Sequence, residues 1–135
     1  ELGADNPLHP PATMIQGTKG HVTQLVVSLR NEGRFAATVD RISFAEGWLR
    51  VVSAAWADRA DGAPVHFPDR IAAHDEHAYV FTVRVSDCFN PRVDSSFENV
   101  HVFFHALGDA HSAWIPIHGG VVIKGGTTPC PDPGG

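Results

Sequence analysis

Nine histidines occur in this chain of 135 residues. Imidazole is the side chain best suited to hold a metal or move a proton near neutral pH. The densest group is His74-Asp75-Glu76-His77, four donor-bearing side chains in one short turn. Imidazole and carboxylate donors suit zinc, copper or nickel. A working site also needs converging ligands with a supporting outer layer. The plainer reading is therefore a solvated polar turn between strands. A transition-metal site on His74, Asp75, Glu76 and His77 is the alternative. His101 and His105 stand four apart, which on a helix would place both on one ion. On a strand they share a face but lie about 13 Å apart, too far for one ion to bridge. His111 and His118 flank the next apolar run and could approach that pair.

Other chemistry is sparse. The sequence has no G-x-S-x-G elbow, no phosphate-binding G-x-x-x-x-G-K-[ST] and no H-E-x-x-H. Asp58 and Asp61 form a carboxylate pair within a turn. No catalytic residue and no cofactor is expected, and an enzyme is the least favoured reading. Trp48, Trp56 and Trp114 could line a sugar-binding surface, because aromatic faces stack on sugars. Core or inter-sheet packing is the plainer role for three separated tryptophans.

Ten basic against fifteen acidic side chains leave a formal charge of −5. That balance disfavours a nucleic-acid partner, which needs a basic surface. Protonating all nine histidines would carry the formal charge to +4, through the ordinary titration range of imidazole near pH 6.5. A pH-dependent partner is one reading of this, and compositional accident the plainer one. No apolar run is long enough to span a membrane as a helix.

The two cysteines, Cys88 and Cys130, lack the C-x-x-C spacing of zinc knuckles and redox pairs. A structural disulfide is expected, with two free cytosolic thiols as the alternative. It would close a loop worth about 4 kcal/mol in the chain-entropy account, and it favours an oxidising compartment. The expected location is extracytoplasmic or secreted, with a membrane anchor conceivable in a longer protein. The first residue is Glu1, and residues 127–135 are rich in Pro and Gly. Both ends fit a processed fragment.

Apolar alternation is the strongest structural signal. Leu25, Val27 and Leu29 repeat every second residue, as do Tyr79, Phe81, Val83 and Val85, and Val102 with Phe104. Asn31-Glu32-Gly33 supplies a turn. A strand then runs from Phe35 to Phe44, with Phe35, Ala37 and Val39 on one parity. The parity switches to Ile42 and Phe44 at Asp40-Arg41, which predicts a bulge. Residues 48–53 form another apolar run, and 54–60 are the one place that suits a helical turn. Pro64 to Pro68 reads as an extended edge piece. Residues 89–99 read as a loop, Val100 to Leu107 as a strand, and Ala113 to Ile117 as its hairpin partner after Gly108-Asp109. Val121-Val122-Ile123 is the last apolar run. The 13 glycines and 10 prolines punctuate this pattern and leave no room for long helices. Seven to nine short strands predict an all-β antiparallel β-sandwich, with a closed barrel as the alternative. The expected organisation is one domain over residues 1–130, an irregular lead-in over 1–12 and a flexible tail over 131–135.

Two stretches, Leu25 to Val39 and Phe67 to Val83, together roughly a quarter of the chain, resemble bacterial immunoglobulin-like or fibronectin-III-like extracytoplasmic domains. The first is similar to their strand, Asn-x-Gly turn, strand hairpin. The second is similar to their proline, short turn, alternating strand element. Asp87-Cys88 resembles the end of that strand in secreted actinobacterial domains of this type. Antibody domains place two cysteines on facing strands around a buried Trp. Cys130 stands near the C-terminus, so that pattern does not carry over. The resemblance implies a non-catalytic exported interaction or spacer module, with a protein or cell-envelope component as partner. It transfers no functional residue.

Overall fold

The computed structural model describes residues 2–4, 13–44, 47–57, 62–89, 91, 94–125 and 130. Nine strands are described: β1 (Leu2–Ala4), β2 (Thr13–Gly17), β3 (Val22–Asn31), β4 (Ala37–Ser43), β5 (Leu49–Trp56), β6 (Asp69–Ile71), β7 (Glu76–Val85), β8 (Asp94–Ala106) and β9 (Asp109–Gly125). They form two sheets. One has the order β1-β3-β7-β5, and the other β2-β9-β8-β4-β6. The first corresponds to the A-B-E-D sheet of an immunoglobulin sandwich, and β9-β8-β4 to its G-F-C sheet. The fold is thus an immunoglobulin-like β-sandwich. One departure lies between β4 and β7. There β5 joins the first sheet before β6 returns to the edge of the second, beside β4.

Alternation along each strand places one side-chain set between the sheets. Leu25, Val27, Leu29, Tyr79, Phe81, Val83 and Val85 form one layer of the core, and Val100, Val102, Ile115, Val121 and Ile123 the other. Two aromatic groups pack at opposite ends of β7. Trp48, Phe89 and Phe97 pack edge to face near Val85. Trp56 and Phe67 pack on Tyr79. The Cys88–Cys130 disulfide is formed, with Cα atoms 5.8 Å apart. It ties the segment after β7 to the segment after β9. Next to it, Phe89 N–H donates to Gly17 O at 3.0 Å. A Cβ on Gly17 would sit 2.8 Å from the Phe89 side chain and 2.7 Å from Lys124 O, so only glycine admits this approach.

Asn31 is a fully buried polar residue. It ends β3 on the core-facing parity, and its side-chain amide reaches three backbone groups. Nδ2 donates to Phe35 O at 2.8 Å and to Ile71 O at 3.0 Å. Oδ1 accepts from Gly33 N–H at 3.0 Å. Its backbone N–H donates to Asp75 O, and its carbonyl accepts from His74 N–H. The Asn-x-Gly turn is therefore also the polar anchor of β6 and of the 72–75 turn.

Several details differ from the sequence reading. The bulge is present, with the β4–β8 register shifting between Val39 and Arg41. Phe35, however, is 58% exposed, because β4 begins only at Ala37 after the Asn31-anchored turn. Ala54 to Trp56 continue β5 rather than turning as a helix, since they pair with Phe81, Val80 and Tyr79. Residues 58–61, with Asp58 and Asp61, lie outside the described residues. The 1–12 lead-in contains β1, whose backbone pairs with β3 at Leu29–Asn31. The short β2 was not legible as a strand. It pairs parallel with β9 from Val121 to Gly125, the one parallel pair among the described strands. The 89–99 loop is shorter than expected, because β8 begins at Asp94. Ala113–Ile117 and Val121–Ile123 belong to one strand, β9, with a register shift against β8 between Phe97 and Asn99. The tail, 131–135, lies outside the described residues.

The β8–β9 hairpin turns through Leu107 and Gly108, both at positive φ (54° and 82°). This is the backbone of a type I′ turn, which suits Asn-Gly far better than Leu-Gly. Two expectations follow from these two turns. Asn31→Ala leaves two carbonyls and one N–H without their partner and should lower unfolding free energy by about 3 kcal/mol in urea titrations. Leu107→Asn relieves a left-handed β-carbon contact and should raise it by about 1 kcal/mol.

Candidate functional site

The histidine-rich turn divides between the two faces of β7. His74 occupies a left-handed backbone position (φ 63°) and is exposed. The exposed Asp75 carboxylate accepts from the Glu76 N–H at 2.9 Å. Glu76 points away from the core and pairs with Arg30 at 2.5 Å. His77 points the other way, towards the second sheet. Strand alternation therefore sends Glu76 and His77 to opposite faces, with Asp75 beside His77. Among the described residues, no three His, Cys, Asp or Glu side chains are gathered as metal ligands.

His77 belongs instead to a polar bridge between the sheets. Asp69, the first residue of β6, lies in the second sheet, while His77 and Tyr79 lie in the first. Asp69 Oδ2 accepts from Tyr79 Oη–H at 2.6 Å and faces His77 Nδ1 at 2.7 Å. His77 Nε2 stands 3.5 Å from Asp75 Oδ2. Trp56 packs against the imidazole at 5.1 Å and the phenol at 5.5 Å. Burial raises the Tyr79 pKa far above its usual value, and the hydrogen bond and negative field of Asp69 push it further. An aspartate, a histidine and a tyrosine in series have the makings of a proton relay. Here both imidazole nitrogens face carboxylates and the ring lies against Trp56, so the group bolts the sheets together. Asp69 and this use of Tyr79 were missed from the sequence, because their partners lie across the sandwich.

The outer face of the second sheet carries the other histidines. His101, Phe103 and His105 alternate with core residues along β8. His105 pairs with Asp40, the residue at the β4 bulge. Phe103 lies beneath Arg41, with the guanidinium carbon 4.0 Å from the ring centroid. His101 lies 4.2 Å from Phe103 and stacks on Trp114 at 4.3 Å and 14°. Arg41, Phe103, His101 and Trp114 thus form a ladder of flat groups across β4, β8 and β9. Register makes it: His101 opposes both Ser43 and Trp114, and Phe103 opposes Arg41 and Ser112. Trp114 is 56% exposed.

His101 and His105 therefore occupy one strand face, as the strand reading expects. His111 is exposed and stacks on Phe104 at 5.4 Å, and the His118 side chain lies outside the described residues. The three tryptophans do not form one platform. Trp48 and Trp56 pack against the core, whereas Trp114 faces solvent. The alternation of His101 and Phe103, with Trp114 reflected across the Gly108 turn, was the sequence signal for the ladder.

No protein-family model matches the chain, and no curated protein matches it. Among solved structures it is similar to the Vibrio cholerae VesB protease, with 9% identity and a TM-score of 0.48 over 92% of this chain. The chain covers 31% of that protein. It is also similar to the ASH/PapD-like domain 7 of human CEP192, with 11% identity and a TM-score of 0.41, covering 93% of this chain and 83% of that one.

Tyr79 is the chain's single tyrosine, so its ionisation can be followed directly by ultraviolet absorbance. Its folded pKa lies above the unfolded value of about 10. The stability it contributes is full below that pH and is lost as pH rises through the folded pKa. The phenolate band should appear only with alkaline unfolding in the native protein. In Asp69→Asn, which removes the negative field, it should appear at lower pH.

Proposed function

We propose that this chain is a non-catalytic, exported interaction module of a bacterial cell-envelope or secreted protein, and that it works through the outer face of the β9-β8-β4 sheet. The observation that carries this reading is the solvent-facing ladder of Arg41, Phe103, His101 and Trp114. Rings clustered on a sheet face gain little from folding alone, and such patches mark interaction surfaces. Trp and Arg are also the residues that most often dominate binding energy. The Cys88–Cys130 disulfide favours an oxidising compartment, in keeping with export. The Asp69–His77–Tyr79 group supports the non-catalytic part, because its polar atoms are committed to one another.

The test is retention on isolated cell envelopes from the source organism. Labelled protein should bind saturably, and a Phe103→Ser/Trp114→Ala double variant with unchanged melting temperature should bind about tenfold more weakly or worse. Equal retention of the two proteins would refute the assignment to this face.

A further inference from the structure

We infer that the Trp114 end of the ladder, with Arg41, is a carbohydrate subsite for an acidic oligosaccharide of the uronic acid class; this rests on the interaction-module reading and names its ligand. The indole is held upright on the sheet. One of its faces is covered by His101, parallel to within 14°. Its other side faces away from β8, with which β9 pairs from Asp109 to Pro116 before β2 joins at Val121, and the residue is 56% exposed. A half-exposed indole braced on one side by an imidazole suits the flat C–H face of a pyranose ring. The neighbouring outer-face residues are polar: Ser112 and Asn99 are exposed and Ser43 is half-buried. Hydroxyls and an amide beside an aromatic face supply the hydrogen bonds that orient a sugar.

Charge selects the class. The Arg41 guanidinium carbon sits 4.0 Å over the Phe103 ring, and a guanidinium held against a ring keeps N–H donors for a carboxylate. Arg70 stands on the same outer face, on β6, opposite Thr38. The nearby carboxylate of Asp40 is already paired with His105. Two arginines therefore present positive charge on a chain whose formal charge is −5, a local reversal that complements an anion. Arg41 and Trp114 are two strands apart and offset by one same-face row. Strand and residue spacings put them about 12 Å apart, within reach of two or three linked sugar rings. An acidic peptide would satisfy Arg41 as well, but it gains less from a single upright indole than a sugar does.

Titration calorimetry with tetragalacturonate as probe tests the assignment. Its methyl ester keeps the rings and removes the charges, and hexaglutamate keeps charges without sugar rings. Tetragalacturonate should bind saturably. Affinity should fall about tenfold or more for the methyl ester, for hexaglutamate, for Arg41→Gln and for Trp114→Ala. In NMR spectra of the unaltered protein, the indole N–H of Trp114 should shift on titration while that of Trp56 stays in place, which keeps the test independent of variant folding. Absence of saturable binding, an unmoved Trp114 indole, undiminished binding by a folded Trp114→Ala, or equal affinity for hexaglutamate would each overturn the inference. Any of these results with envelope retention intact overturns the sugar and leaves the interaction face standing. Loss of retention alone refutes the broader reading.

Discussion

One buried carboxamide holds the irregular half of this sandwich in place. The Asn31 side chain reaches the backbone at Gly33, Phe35 and Ile71, and its own peptide groups bond to the 74–75 turn. Those segments start β4, end β6 and lead into β7. The bond to Ile71 is buried and those to Phe35 and Gly33 are partly so, and a buried polar group without a partner is costly. A single side chain with two donors and an acceptor meets that need at the point where three connections meet. With β6 held there, Asp69 reaches across to His77 and Tyr79.

That placement also decides the chemistry of the histidine-rich turn. On β7 the period of two sends Glu76 outward to Arg30 and His77 inward to Asp69. Four potential ligands adjacent in sequence are thereby split between an exposed ion pair, a turn and an inter-sheet bridge. On β8 the same period gives the opposite outcome. Its inward residues are aliphatic or aromatic, and its outward ones are His101, Phe103 and His105, which meet Arg41 and Trp114 from neighbouring strands. Interior polar groups here bond to one another across the sheets, while these rings stack on one another at the surface.

Much of the sandwich was legible because alternation is a local signal. The core faces of β3, β7 and β8, the bulge at Asp40 and the turn at Gly108 can all be read from consecutive residues. β1 and β2 were not legible, since three and five residues carry too little period to distinguish. The end of β5 was misread because alanines suit a helix, and pairing with β7 overrides that weak preference. Phe35 carried the right parity but preceded the strand.

The sequence by itself determined the strand-rich class, the inward faces of its long strands and the pair of cysteines available for a bridge, because each depends on residue type and short spacing. Only the tertiary structure decided which distant residues meet. Asp69 reaches Tyr79 across two sheets, and Arg41 meets Phe103, and His101 Trp114, across three strands. These contacts depend on strand order and register, which arise from long-range pairing and the cost of leaving buried polar groups unpaired. No window of neighbouring residues contains them.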